Sequence, residues 1–441
     1  MPRKFKSAII AIPALIIAFC LIVPKVIGTG VRETITDQAL NQLAIATGGQ
    51  INISRSKLES RWFNSSAEFI IDLTHPQNNN SILSLSLLSK IHHGPILLTQ
   101  NGLDFGLLGV EIILDLAKLS SDEVAVELGV LAASVVAGFN QNLTVEASIP
   151  NLEIRSKREN LYINMSELNF DSKVNLDLSG HTKLTLNEIL IQNRLSNIQI
   201  SLNNPSLTLQ TEGPIESSSE SALSVVIPSL AASEPLSFKV NNLRLDWRST
   251  PSSTESGLTN FSQHILMDEI VSELPLTSFS WKSEMSGVSD ELIASYNRML
   301  LGMQSQTVMD PLSRVAELTR YGNETSSLLI QNELKLANVL IMESYEGEHS
   351  LELDIAWEGL PGLSRIEDLN FEDALEALAV EGNLSLSQEA LLASPFAALA
   401  EHYTNENYLI PNNGVLSLQA VLDKGLLTVN DEAIPLEQFV Q

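Results

Sequence analysis

Apolar and polar residues alternate with period two through most of this chain, the pattern of half-buried β-strands. Leu143, Val145, Ala147 and Ile149 alternate with Thr, Glu and Ser. The same spacing recurs at Leu161, Ile163 and Met165, at Val174, Leu176 and Leu178, and at Leu184 and Leu186. It continues through Ile198, Ile200 and Leu202, then Leu207 and Leu209, then Phe238, Val240, Leu243, Leu245 and Trp247. A last set is Leu351, Leu353, Ile355 and Trp357. One face of each segment is aliphatic and the other is Ser, Asn, Thr, Asp or Lys. Parallel strands are covered on both sides and read as continuous apolar runs, so this alternation predicts antiparallel sheet with one wet face. Asn, Gly and Ser between the segments predict a long meander.

Helical spacing interrupts the alternation in a few places. Ser120-Ser121-Asp122-Glu123 reads as a capping box opening a helix with Val124, Leu128, Leu131 and Val135 on one side. Residues 289–320 form the longest helical block, with Leu292, Tyr296, Met299 and Met303 in register and Pro311 dividing it. Phe371–Val380 and Ser387–Tyr403 read as two further helices, the second broken near Pro395. The chain closes in a hairpin in which Asp423-Lys424-Gly425 is expected as a three-residue loop with Gly at its left-handed position. Thr74–Ser81 reads as a loop, and Thr211–Ala222 and Arg248–Gly257 as linkers. No strict internal repeat is visible.

The start of the chain differs from all of this. Arg3, Lys4 and Lys6 precede Ala8–Val23, a run of 16 residues without charge. A basic start followed by one apolar stretch is an export signal whose basic end stays in the cytoplasm. Ala8–Val23 alone falls just short of the roughly 20 residues a bilayer needs. A span from Phe5 to Gly28, through Ala8, Leu15, Phe19 and Val23 and with Lys25 snorkelling to the headgroups, is long enough. Gly28-Thr29-Gly30 is a poor cleavage site, so an uncleaved anchor is preferred to a cleaved signal. Residues 1–31 are therefore read as basic start and anchor. Residues 32–250 are read as a first sheet-rich region, and 251–441 as a second, with helices at 289–320 and 365–403 and the terminal hairpin. The expected class is α+β, mainly β. It comprises an N-terminal membrane helix and a long curved antiparallel sheet with a few helices packed on one face.

Composition narrows function mainly by exclusion. The 441 residues carry 26 basic and 53 acidic side chains, a net charge of −27. Four bases and no acid precede Arg32, which leaves 22 bases against 53 acids in the remainder. Such a balance opposes binding to nucleic acid or to anionic headgroups by charge. Cys20 is the single cysteine and lies in the apolar run, so the exported part is expected to have no disulfide or thiol nucleophile. Among chemical motifs, His92-His93-Gly94-Pro95 is read as a turn. Adjacent histidines in an extended segment point to opposite sides and do not share a metal easily. Arg61-Trp62-Phe63-Asn64-Ser65-Ser66 is read as a strand with bulky anchors, and Glu343, Glu346, Glu348, Glu352 and Asp354 as a solvated face. No phosphate loop, nucleophile elbow, His-Glu-x-x-His or calcium loop is present. No catalytic residue, cofactor or metal is expected, and the chain is read as non-enzymatic.

Four places resemble the YdgA-like family of bacterial envelope proteins. These are the approach through Gly30 to Glu33, the element Trp62-Phe63-Asn64-Ser65-Ser66, the turn His93-Gly94-Pro95, and the tail from Leu426 through Phe439. The resemblance implies an inner-membrane anchor with the N-terminus inside, a periplasmic body and a Gram-negative source. It brings no catalytic residues. At the level of architecture alone the chain also resembles AsmA-like envelope proteins. Two functions follow as expectations. In one, the aliphatic sheet face holds or passes lipid, a reading that low aromatic content (5%) favours over a sugar or base platform. In the other, the protein is an envelope scaffold with a closed core that docks another envelope protein. The expected partners are the cytoplasmic membrane through the N-terminal helix, and a lipid or an envelope protein.

Overall fold

The structure, a computed structural model, describes residues 51–434 together with Pro24, Lys25 and Thr29. Within 51–434 it omits 75–80, 100–101, 115–118, 121–123, 157–159, 178, 194, 214–218, 235–236, 274, 305–310 and 364. The expected span residues Ala8, Leu15, Phe19 and Val23, and the motif positions Gly30, Glu33 and Phe439, lie outside the described residues. Among the described residues no helix is long and apolar enough to cross a membrane. The chain is mainly β, with antiparallel pairing throughout the described strands, as the alternation predicts. Contacts divide it into two compact units, Met1–Ser196 and Asn197–Gln441. Residues 250 and 251 lie inside the second unit.

The first unit is built on strands β1 (Ile51–Ser60), β2 (Asn64–Thr74), β3 (Ser81–His93) and β6 (Leu108–Leu114), each paired with the next. Between β3 and β6 a small hairpin, β4 (Ile96–Thr99) with β5 (Gly102–Phe105), folds back and buries Leu97 completely. Beyond β6 the pairing continues through β9 (Leu131–Ala137) to the 15-residue strands β10 (Asn142–Ser156) and β11 (Leu161–Asn175). The short β7 (Leu119–Ser120) pairs β8 (Val124–Leu128), which lies on the far half of β10. On the other side of β11 lie β12 (Gly180–Thr185) and β13 (Glu188–Asn193). Facing residues in a ladder share a side of the sheet. The rows Ala67–Ser89–Ile112–Ala133–Ala147–Phe170–Leu184 and Ile154–Ile163–Ile191 are therefore apolar stripes across the strands.

The second unit begins with β14 (Ile198–Asn203) and β15 (Ser206–Glu212), both paired to β16 (Glu220–Ser233). Then β17 (Phe238–Pro251), β18 (Leu258–Met267), β19 (Ile270–Ser272) and β20 (Leu276–Ser289) follow, with β19 filling the far half of β17. A helical hairpin, α1 (Asp290–Gln304) and α2 (Pro311–Gln331), is inserted before β21 (Leu334–Ser344), which pairs directly with β20. After β22 (Gly347–Trp357) come α3 (Phe371–Ala377), β23 (Leu378–Ser387), α4 (Gln388–Ala393) and α5 (Ala397–Asn405). The chain ends in β24 (Ile410–Asn412), β25 (Val415–Asp423), β26 (Leu426–Val429) and β27 (Glu432–Ile434).

A structural repeat joins the two units' designs. In β10, Ile149 pairs Leu168 and Asn151 pairs Ser166, so unpaired Pro150 faces Glu167, whose φ is 50°. In β16, Ile227 pairs Leu243 and Ser229 pairs Asn241, so unpaired Pro228 faces Asn242, whose φ is 53°. Proline offers no N–H to the ladder, which frees its partner to leave extended geometry. The strands flanking each pair break at the same level: Gly129–Val130 and Leu186–Asn187 in one unit, Asn204–Pro205 and Asp268–Glu269 in the other. The repeat is written in Ile149-Pro150-Asn151-Leu152 and Ile227-Pro228-Ser229-Leu230, which periodicity alone does not bring out.

Several local expectations are corrected. The stretch 120–135 holds β8 and β9 and no helix. Its apolar residues fit both periods, at 124, 126, 128 and 131, 133, 135 as well as at helical spacing, and cross-strand pairing with β10 decides. Residues 121–123 of the expected capping box are outside the described residues. The block at 289–320 does divide at Pro311, but α2 continues to Gln331. The helix from Phe371 ends at Ala377, where the chain enters β23, and the Ser387–Tyr403 segment breaks at Pro395 as expected. Strand β11 ends at Asn175, leaving Leu176 in a turn and 74% exposed. The two supposed linkers are hairpin connections, since β15 runs through Glu212 and β17 through Pro251. In the terminal hairpin Asp423 pairs Leu426, so the loop is two residues, Lys424 at φ 49° and Gly425 at φ 75°. Two left-handed residues make this a type I′ turn, whose twist matches the strands.

Candidate functional site

The second unit's register assembles one continuous aliphatic row. Leu207, Val225, Leu245, Ile265, Trp281, Leu340, Leu351, Leu384 and Leu418 face one another in succession across nine strands. At the spacing of neighbouring strands this is a stripe roughly 38 Å long. The adjoining row on the same face is Ile227, Leu243, Met267, Phe279, Met342, His349, Leu386 and Leu416. On the opposite face the ladder beside the first row is Ser224, Asp246, His264, Lys282, Val339 and Glu352. The ladder between the two rows mixes Val226, Leu266 and Ile341 with Arg244, Ser280 and Ser350. Every member of the first row is left half-buried except Leu351, which is 36% exposed. A core this sparse is unusual for so many aliphatic residues, because a sheet face normally gains its stability by being covered.

The helices of this unit cover the aliphatic face at two places. Under α1 and α2 lies a cleft of 670 Å³ lined by Trp247, Phe261, Met285, Leu292 and Leu329. Under α4 and α5 lies a second, of 740 Å³, lined by Leu384, Leu386, Leu399, Tyr403, Leu409 and Leu418. Leu384 and Leu418 belong to the long row, so this cleft is continuous with the stripe.

The α1–α2 hairpin is tied down at its base and braced along its length. Ser289 caps α1 by accepting from the Leu292 amide at 3.2 Å, with Asp290 and Glu291 favourably placed in the first turn. At the end of α2, Asn332 Nδ2 donates to Ser289 Oγ at 3.3 Å, and Trp357 Nε1 donates to the Ile330 carbonyl at 2.9 Å. Between the helices, the buried Ser295 and Thr325 hydroxyls are bonded at 2.9 Å.

The motif residues of the first unit meet in one place. Ser65 and His93 are each 1% exposed, and Ser65 Oγ lies 3.1 Å from His93 Nε2. His93 Nδ1 lies 3.2 Å from the Trp62 carbonyl, which can only accept, so Nδ1 carries the proton, and the Ser65 hydroxyl is placed between His93 Nε2 and Ser60 Oγ, each at 3.1 Å. Burial pushes the His93 pKa below its ordinary value of 6.5, against the opposing pull of the Trp62 and Pro24 carbonyls; the nearby His92 and Lys25 charges add to the lowering. Pro24 is fully buried, and Lys25 Nζ lies 5.7 Å from the Trp62 ring centre. Trp62 and Phe63 are turn residues about half exposed, not strand anchors, and β2 begins only at Asn64. Ser66, next along β2, pairs Lys90. Gly94 and Pro95 close β3 as a turn, with the Gly94 amide donating to the Leu107 carbonyl at 2.9 Å. A Cβ on Gly94 would stand 1.8 Å from the Gly106 carbonyl oxygen. His92 turns the other way, its Nε2 3.2 Å from Glu111 Oε2 and out of hydrogen-bond alignment. The Ser65–His93 pair has a nucleophile-and-base look, with both side chains almost fully buried.

Among the described residues no group of His, Cys, Asp or Glu is arranged to hold a metal ion. The acidic cluster of Glu343, Glu346, Glu348, Glu352 and Asp354 is exposed at every position. Alternation in the sequence brings out the stripe residues of β15, β17, β22 and β25 but not those of β16, β21 and β23, nor β18 and β20, which carry Phe261, Ile265, Phe279, Trp281 and Met285. Their alternation was present but diluted by Gln263 and Ser283, which interrupt the apolar set.

No curated protein and no solved structure matches the chain. A family described as bacterial protein of unknown function (DUF945) matches residues 4–437, nearly the whole length. The chain, a largely antiparallel β protein, belongs to that family.

Proposed function

We propose that this is a non-enzymatic, membrane-anchored envelope protein that holds or passes lipid along the aliphatic face of its second unit. The observation that carries the reading is the row from Leu207 to Leu418, half-buried across nine strands and entering an apolar cleft at one end. Contiguous apolar surface of this extent marks a partner or a membrane-derived ligand. The basic start, the apolar run Ala8–Val23 and the YdgA-like resemblance support anchoring in the inner membrane with a periplasmic body. The net charge of −27 directs any lipid contact to acyl chains rather than anionic headgroups.

A scaffolding reading, in which a protein partner covers the face and no lipid binds, draws on the exposed Phe396, Leu399 and Tyr403 around α5. The two separate in one experiment. The full chain is purified in a sterol-based detergent, which has no acyl chain, and its extracted small molecules are measured by mass spectrometry. Phospholipid or lipopolysaccharide precursor near one per protein is the expected result. A lipid-free folded protein sinks the lipid reading and directs crosslinking toward a protein partner.

A further inference from the structure

The cleft under α1 and α2 carries a feature that packing does not explain. Its large lining residues are apolar, Ser221, Ser262, Gln263, Ser283 and Asn297 stand among them, and no lining side chain is charged. On its floor two hydroxyl residues are nearly fully buried, Ser249 at 6% and Thr259 at 2% exposure. Ser249 Oγ donates to the Ser219 carbonyl at 3.4 Å. Thr259 Oγ1 has no hydrogen-bond partner among the described residues. A buried hydroxyl without a partner is costly, and valine has the same shape without the cost. The roof above it is held in place by the Ser295–Thr325 hydrogen bond and the Arg298–Glu324 ion pair at 2.6 Å. A pre-formed, mostly apolar cleft of 670 Å³ with a buried, unpartnered hydroxyl among its lining residues has the dimensions and chemistry of a small-molecule site.

We propose that this cleft binds one acyl chain of an ester-linked glycerolipid, with Thr259 donating its hydroxyl proton to the ester carbonyl. Trp247, Phe261, Met285 and Leu292 surround the chain. A free fatty acid would bring a carboxylate into a site whose lining has no cation to pair it, whereas an ester needs only a neutral donor such as the Thr259 hydroxyl. Tyr296, 49% exposed at the rim, leaves the headgroup in water. This assignment rests on the lipid reading and gives it a specific seat.

The full chain in sterol-based detergent is irradiated with a phosphatidylglycerol bearing a diazirine palmitoyl chain and, separately, with diazirine palmitic acid; adducts are mapped by peptide mass spectrometry. Glycerolipid adducts are expected on the peptides carrying Trp247, Met285 and Leu292. Thr259→Val is expected to cut them by about three- to tenfold, the worth of one hydrogen bond, while raising the thermal midpoint of the empty protein. A merely structural hydroxyl would not produce that opposition of signs. Unchanged adducts in the folded Thr259→Val protein overturn the role of Thr259, and labelling by the fatty acid alone overturns the ester. Adducts along Leu245–Leu351 with none in the cleft overturn this seat and leave the lipid reading standing. No adducts anywhere overturn both.

Discussion

At the scale of single residues, the motif around Ser65 and His93 reads as a packing device whose chemistry is legible only in part from sequence. The His-Gly-Pro turn follows from glycine and proline alone, and the structure shows why the glycine is needed. Gly94→Ala would drive a methyl group into the Gly106 carbonyl, a backbone atom that cannot rotate away. We expect a loss of at least about 2 kcal/mol, seen as a lowered urea midpoint. His93 gives a pH prediction. Its folded pKa lies below the unfolded value of 6.5, so the unfolded chain binds more protons as pH falls. The contribution is fully present above 6.5 and lost as pH drops toward the folded pKa. The thermal midpoint of the natural protein should fall more between pH 7.5 and 5.5 than that of His93→Gln, whose amide can keep both hydrogen bonds. Equal falls would remove His93 as the titrating group. Nothing in the sequence says that Ser65, Trp62 and Pro24 meet this ring, because they come from separate segments.

At the scale of elements, strands were legible and their interruptions were not. Period-two alternation located β10, β11 and β17 but not β16, and Pro150 and Pro228 sit within β10 and β16 without ending them. Each proline faces a left-handed residue, Glu167 or Asn242, at the level where the neighbouring strands break. Left-handed geometry costs an ordinary residue roughly 1 kcal/mol and asparagine less. Glu167→Gly should therefore raise stability by up to about 1 kcal/mol, while Asn242→Val should lower it by about 1–2 kcal/mol, both read from urea unfolding. Opposite signs would mean that these positions are not held left-handed. The misread helix at 120–135 has the same origin. A break at Gly129–Val130 shifts the strand's phase and lets its apolar residues imitate helical spacing.

For the whole molecule, the property that matters is how far one apolar row extends. Alternation in any one strand shows a greasy side, but nine such sides become a stripe only when the registers align them. Ile265→Thr combined with Leu340→Thr keeps β-branched or small strand-compatible side chains at the centre of that stripe. We expect lipid co-purification to fall severalfold while the β-sheet circular dichroism is retained and the thermal midpoint moves by only a few degrees. A folded double variant with unchanged lipid would show that the row is not where lipid lies. Leu176, which alternation alone places on the sheet, is unsuitable for such a test because it projects from a turn.

The sequence by itself determined the class of the protein, since period-two patterning and antiparallel pairing are local consequences of side-chain alternation. It also determined where the longest helices start and divide, since caps and prolines act within a turn. Tertiary structure decided the rest. Which strands pair, and in what register, is a competition among many similar alternating segments that no local pattern resolves. Only that outcome aligns the aliphatic row, seats α4 and α5 over one of its ends and α1 and α2 beside its middle strands, and leaves the Thr259 hydroxyl buried and unpaired.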